Sequence, residues 1–237
     1  MVSIPATAQG YMMVGKSKFP KLLWRFRSDP VEGASCLMIP IGYMYKILWP
    51  KRNLQLAKQI ENVYTLGDCS GNSTHDFYDY VTLWKHNGYW LFNTPEEMQA
   101  IANELQIDLS KMTLFYYEAY EHEFDFVGES DEPVWSPFEA DSHFHTNIAV
   151  PATKSFVGFD VVEYTQGNSP ECSLLACTDL TETLNVNEHC LFKTIEDAKA
   201  ALENCDFHAL EPGPYRVIAV YLVGSAQLEA RGALWLA

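Results

Sequence analysis

At 237 residues, 48% apolar and 14% aromatic, the chain is long enough to bury a sizeable core without metal or disulfide staples, and too apolar to be disordered. Its net charge of -15 is unevenly spread, because residues 1–60 carry nine Lys or Arg against Asp29 and Glu32 while the remainder carries seven against twenty-nine acids. That acidic body opposes non-specific binding of nucleic acid or anionic membrane, and it favours a basic partner or plain solubility.

The N-terminus lacks the charged start and unbroken apolar run of a signal peptide. The most apolar window, Ala34 to Trp49, is short for a membrane span and is broken by Pro40 and Lys46. The expectation is a cytoplasmic protein whose six cysteines are mostly reduced.

Residues 1–15 show no period. Leu22, Trp24 and Phe26 then alternate with Leu23, Arg25 and Arg27 as a half-buried strand, ended by Asp29-Pro30. Cys36 to Ile41 reads as a short second strand. After Pro50 the spacing turns helical through Leu54, Leu56, Ala57, Ile60 and Glu61. The loop Gly67 to Ser73 lacks the lysine and glycine spacing of a phosphate loop, so it reads as a connection. Phe77 to Trp84 reads as a strand and His86-Asn87-Gly88 as a turn.

The clearest local signal follows. Thr94 caps a helix that opens on Pro95, Glu97 completes a capping box by reaching back to the Thr94 amide, and Met98, Ile101, Ala102 and Leu105 mark the buried face. An aromatic strand, Met112 to Tyr120, comes next. A hundred residues later Leu91-Phe92-Asn93-Thr94-Pro95-Glu96-Glu97 recurs as Leu191-Phe192-Lys193-Thr194-Ile195-Glu196-Asp197. The buried set becomes Ala198, Ala201, Leu202 and Cys205, and the following strand is Tyr215 to Val223. Upstream, Phe156 to Tyr164 takes the place of Phe77 to Trp84. A structural repeat is expected, and it makes Cys205 the counterpart of Leu105, a small core residue. Between the two units lies the acidic connection Glu121 to Val150, long enough to be functional or to hide an element. Gln227 to Ala237 reads as a last strand or docking tail.

Chemistry has few places to live. Cys172, Cys177, His189 and Cys190 fall close together, but four residues separate the first pair and His189-Cys190 are neighbours that point apart if extended, a poor match to tetrahedral zinc. The same residues offer a thiol nucleophile, Cys172 or Cys177, with His189 as base; Glu171, Asp179 and Glu188 would oppose its ionisation. Asp141, His143 and His145 share one face if their segment is a strand, and with Glu121, His122 or Glu123 they form a candidate metal set. Glu118 is a candidate acid or base if it faces inward. The basic N-terminal segment, interleaved with Phe19, Trp24, Phe26 and Trp49, has the composition of a nucleic-acid surface, yet folding against the acidic body is the simpler expectation.

The expected fold is α+β: a mixed or largely antiparallel sheet with a few helices on one face, in two structurally related halves. Residues 1–60 form a basic extension packed on the body, 61–150 the first half with the acidic connector, and 151–237 the second. The expected function is non-catalytic binding of a basic protein, toxin neutralisation being one concrete form, with no cofactor and no membrane. The alternatives are a metal- or thiol-dependent enzyme using the 141–145 or 172–190 cluster, with zinc or another transition metal as the ion, or a structural subunit of an assembly.

Overall fold

The computed structural model describes residues 37–48, 56–67, 85–127, 132–164, 169–178, 180–204 and 213–224. Aromatic and β-branched alternation builds a six-stranded sheet, antiparallel in every ladder: β1 (Met38–Lys46), β2 (Thr113–Val127), β3 (Glu132–Pro137), β4 (Ser155–Glu163), β5 (Cys172–Ser173) and β6 (Tyr215–Leu222). The order is β1-β2-β6-β4-β5, and β3 pairs with β2 beyond the end of β1. The long β2 is therefore the spine. It holds β1 and β3 along one edge and β6 along the other.

Period-2 alternation sorts the side chains. Tyr43 and Tyr45 of β1, Tyr116 and Glu118 of β2, Val217 and Tyr221 of β6, and Phe159 and Val161 of β4 share one face. Lys46, Tyr117, Ile218, Val220, Asp160 and Val162 share the other. Two helices cover the first face. In α1 (Pro95–Leu105) the Thr94 hydroxyl accepts the Glu97 amide at 3.2 Å, and Gln106, left-handed at φ 59°, ends the helix. Its Gln99 hydrogen-bonds Tyr45. The four-residue helix α2 (Leu174–Cys177) follows β5. In α3 (Ile195–Asn204) the Thr194 hydroxyl accepts the Asp197 amide at 3.1 Å, and Lys199 donates to the Tyr120 hydroxyl at 3.3 Å. Met98, Ile101 and Ala102 of α1 and Ala198, Ala201 and Leu202 of α3 are buried, each large apolar side chain contributing roughly 1.5–3 kcal/mol.

The other face holds the buried rings of Tyr117 and Tyr164 and two buried cations, Lys46 and Arg216. Arg216 tolerates 4% exposure because its guanidinium is sandwiched between Phe138 and Tyr164, with Cζ 3.7 and 4.0 Å from the ring centroids, while Nε and Nη2 donate to Glu123 Oε2 at 2.9 and 2.8 Å. This contact ties the connector to β6.

Two loops close the sheet's outer edges with the same hydrogen bonds. Asn87 Nδ2 donates to the Ile41 carbonyl at 3.0 Å, while its Oδ1 accepts the amides of Tyr89 and Leu91 at 2.9 and 3.3 Å. Asn187 Nδ2 donates to the Val157 carbonyl at 2.8 Å, and its Oδ1 accepts the amides of His189 and Leu191 at 2.9 and 3.1 Å. Trp90 and Cys190 are both left-handed, at φ 60° and 64°. Phe92 exchanges two backbone bonds with Tyr43, and Phe192 does so with Phe159.

Several local expectations change. Leu56 to Gly67 is irregular with one turn, not a helix, since its amides at Glu61, Asn62 and Tyr64 bond the carbonyls of Glu188 and His189 instead of their own chain. Glu97 reaches back one residue further than a capping box requires, accepting the Asn93 amide at 2.9 Å. Leu105 is 45% exposed, which removes the basis for placing Cys205 in the core by analogy. The connection after Glu121 hides an element: β2 runs on to Val127 and β3 returns against it. The expected strands at Leu22 to Arg27 and Phe77 to Trp84, the loop at 68–73, Cys205, and the tail from Gln227 lie outside the described residues.

Candidate functional site

Where β2 and β6 run side by side, Tyr116 stands opposite Tyr221, and Glu118, two residues along, projects from the same face. The Tyr116 hydroxyl donates to Glu118 Oε1 at 3.2 Å and the Tyr221 hydroxyl to Oε2 at 2.8 Å. Lys154, from the bend before β4, ion-pairs with Oε1 and places its ammonium 4.0 Å from the Tyr221 ring centroid and 4.8 Å from that of Tyr116. The Glu118 and Lys154 side chains keep 13% and 25% of their exposure. Tyr43 lies against Tyr116 at 5.0 Å, and its hydroxyl donates to the Ala149 carbonyl. The site is half-open and internally satisfied.

Its chemistry follows from that satisfaction. Burial, reinforced by the Glu118 carboxylate, pushes the Tyr116 and Tyr221 hydroxyls well above their ordinary range, so both remain donors at any physiological pH. The carboxylate oxygens are engaged by two hydroxyls and an ammonium. The cluster presents a carboxylate between two tyrosine rings. It is arranged to hold a cation.

The residues singled out by sequence are placed as follows. Asp141 and His143 meet, with Asp141 Oδ1 accepting both the His143 amide at 2.9 Å and its ring Nδ1–H at 2.8 Å; these bonds, the amide foremost, hold the carboxyl below its usual range. The segment is a turn, however, so the shared strand face is not formed, and the His145 carbonyl is used by the Asn93 side chain at 3.2 Å. His122 Nδ1 approaches Glu121 at 3.9 Å. Among the described residues no three of His, Cys, Asp and Glu are grouped to hold a metal ion.

Cys172 on β5 and Cys190 are buried and not disulfide-bonded, and the Cys190 thiol donates to the Leu175 carbonyl at 3.4 Å. Cys177 is disulfide-bonded, so it offers no thiol, and the expectation of a nucleophile at that position is overturned. The His189 ring stacks flat on Tyr64 at 4.2 Å, with Nε2 3.8 Å from Glu188 and Nδ1 buried without a hydrogen-bond partner. The three candidate thiol-site residues are therefore not assembled through that ring nitrogen.

A deeper polar cluster escaped the sequence reading. Asp160 is fully buried and accepts the Leu66 amide at 2.7 Å, the Ser173 hydroxyl at 2.6 Å and the Val161 amide at 2.9 Å; Ser173 Oγ in turn accepts the Gly67 amide at 2.6 Å. Lys46, 2% exposed, donates to the carbonyls of Thr65 and Leu66 at 2.6 and 3.0 Å. Burial pushes the Asp160 carboxyl up to about 6, against Ser173, Leu66 and Lys46, which pull it down. With Ser173 fully buried, the cluster pins residues 65–67 to the sheet and gives no substrate access. His86 plays a related part between the rings of Trp90 and Phe144, 4.3 and 4.2 Å away, where it holds the connector.

A cleft of about 700 Å³ beside the end of α1 is lined by Tyr45, Gln99, Asn103, Asp108, Ser110, Met112, Leu114 and Val223 among others, and in it the exposed Ser110 hydroxyl donates to Asp108 Oδ1 at 2.6 Å. Compared with known protein families, characterised proteins and solved structures, the chain matches none of them.

Proposed function

We infer that this chain is a non-catalytic binding module for a basic protein partner, built from two related halves. The observation that carries the reading is the acid excess on the surface of the described residues. Four described cations are turned inward: Lys46 to backbone carbonyls, Arg216 to Glu123, Lys154 to Glu118, and Lys199 to the Tyr120 hydroxyl and the faces of Tyr120 and Trp135. Lys58, Lys85, Lys111 and Lys193 alone among the described Lys and Arg are exposed, against exposed Glu61, Glu96, Glu97, Glu104, Asp108, Glu139, Glu182, Glu188, Glu196 and Glu203. Among the described residues exposed acids thus outnumber exposed cations ten to four, and the outward field is acidic. Such a field steers a basic protein into encounter and repels nucleic acid.

Two related halves are supported by the matched bonds of Asn87 and Asn187, by the left-handed Trp90 and Cys190, and by the bulge glycines Gly42 and Gly158 facing Phe92 and Phe192. On this reading the counterpart of β4 is β1, in place of Phe77 to Trp84, and the Tyr117–Val220 pair lies on the axis relating the halves, because Gly42 pairs with Tyr117 and Gly158 with Val220. Neutralisation of a basic toxin or nuclease remains one concrete form of the function. The test is a pull-down from the native host with bound proteins identified. The expected result is one or more proteins of high isoelectric point, held at about 0.05 M salt and released near 0.5 M, where screening shortens to a few ångströms. No partner at either salt contradicts the reading.

The competing metal-enzyme reading has one observation on its side, the Asp141–His143 contact at 2.8 Å. Elemental analysis of untagged protein decides it. The expected result is substoichiometric metal, and stoichiometric zinc would favour the enzyme.

A further inference from the structure

Lys154 differs from the other inward-turned cations in what surrounds it. A carboxylate is flanked by two tyrosine rings, and each ring's hydroxyl is bonded to one carboxylate oxygen, so host geometry is fixed before any guest arrives. A fixed carboxylate beside aromatic faces is the composition that binds an alkylammonium: the charge pairs with the oxygens and the CH₂ and ammonium protons lie on the π faces. The host stands on the paired central strands β2 and β6. Its guest comes from a bend instead, with Ala152, Thr153 and Ser155 exposed around it. Val150 and Phe156, 60% and 48% exposed, are close to Lys154 in the chain, and Phe156 also packs on the Tyr221 ring at 5.5 Å.

We propose that Tyr116, Glu118 and Tyr221 form an ammonium-binding cage for a lysine side chain of a basic partner, and that Lys154 fills it in the free protein as an intramolecular stand-in. This rests on the basic-partner reading and names the chemistry of one contact. A tethered guest enjoys a millimolar effective concentration, so a free amine does not compete well with it. A partner succeeds only by bringing its lysine together with further contacts, for which Val150 and Phe156 are exposed. The bend then moves aside and the cage changes occupant. The stand-in thus raises specificity, since isolated cations are refused.

The test empties the cage. Lys154→Ala, with Lys154→Met as a second variant that keeps the stem and loses the charge, is titrated with n-butylammonium, the lysine side chain in free form, and with 1-butanol as uncharged control. Tyrosine chemical shifts and the thermal midpoint are followed, with near-UV circular dichroism to establish that each variant is folded. The expected result is n-butylammonium binding about tenfold tighter in Lys154→Ala than in the wild type, no response to butanol, and loss of the gain when Glu118→Gln is added. A folded Lys154→Ala or Lys154→Met that binds the amine within about twofold of the wild type overturns the cage, as does a gain that survives Glu118→Gln. A parallel arm captures basic proteins from host extract on the wild type and on Lys154→Ala. Salt-sensitive capture without an amine gain overturns the cage and leaves the basic-partner reading standing, whereas an amine gain without capture at any salt overturns the partner as source of the lysine.

Discussion

Gly42→Ala and Gly158→Ala should each lower the free energy of unfolding by about 3 kcal/mol or more, enough to leave a domain of ordinary stability marginal. Both glycines sit at positive φ, +135° and +158°, where a Cβ is strained before any neighbour is considered. A methyl at Gly42 would fall 2.7 Å from the Phe92 carbonyl oxygen and 2.8 Å from Leu91 Cβ; at Gly158 the corresponding distances are 2.8 Å to Phe192 and 2.7 Å to Leu191. Neither carbonyl can retreat, because each is bonded to the amide of the next strand residue, Tyr43 or Phe159, at 2.9 or 2.8 Å. Backbone strain of about 1–3 kcal/mol and overpacking of about 1–3 kcal/mol therefore act together. Gly224→Ala, with nothing within 4 Å, is the control and should stay within about 0.5 kcal/mol. Urea midpoints for the three variants decide the matter. Equal midpoints would mean that the outer-edge loops adapt, and the role given to both glycines would be wrong.

Asp160→Ala should cost about 3 kcal/mol near neutral pH. The carboxylate accepts the Leu66 amide and the Ser173 hydroxyl inside the protein, and its charge offsets that of buried Lys46; without it two donors and an ammonium lose their complement. Asp160→Asn isolates the charge. Because burial raises the folded-state pKa to about 6 from an ordinary 3.8, the folded protein holds a proton that the unfolded chain has released between those values. Stability from this group is therefore fully present below about pH 3.8 and is lost as pH rises through about 6, a contribution of about 3 kcal/mol at most. Unfolding free energies of the wild type and Asp160→Asn, compared from pH 4 to 7, should diverge with that slope, the wild type losing stability relative to the variant. A parallel pair of curves would place the Asp160 pKa at its ordinary value.

The helices were legible because their signals are local. Thr94, Pro95 and the Met98-Ile101-Ala102 spacing lie within nine residues, and Thr194 repeats the cap. The strands at Met112 to Tyr120 and Tyr215 to Val223 were legible for the same reason, each being a dense aromatic or β-branched run. What could not be read was pairing at long range. Gly42 meets Leu91-Phe92 only after the chain returns to the sheet edge, so its need for glycine leaves no mark on its neighbours. Asp160 lay unremarked within an apolar run, since nothing nearby in sequence says that Leu66 and Ser173 will point donors at it. Helical spacing misleads over Leu56 to Glu61, where the chain makes a single turn and then gives its amides at Glu61, Asn62 and Tyr64 to Glu188 and His189.

The candidate site shows the same division. Tyr116, Glu118 and Tyr120 are legible as one alternating face, and the role of the Glu118 carboxylate depends on which way that face points. Lys154 is 36 residues away and Tyr221 103, with no local sign that either belongs beside it. The connector's histidines are what its sequence displays, but the cation that reaches the site, Lys154, lies just beyond its end. Long, apparently uninformative connections earn attention for where their ends are anchored, here by Asn93, His86 and Tyr43.

Charge reversal on the helical surface addresses the basic-partner reading most directly. Glu96→Lys, Glu104→Lys and Glu196→Lys, all on exposed helix positions, are combined in one variant, and capture of basic proteins from host extract is compared with the wild type at about 0.05 M and about 0.5 M salt. Capture at low salt should fall by about tenfold or more in the variant, with both proteins alike at high salt. Undiminished capture by the reversed variant, or capture indifferent to salt, would contradict binding steered by the acidic surface.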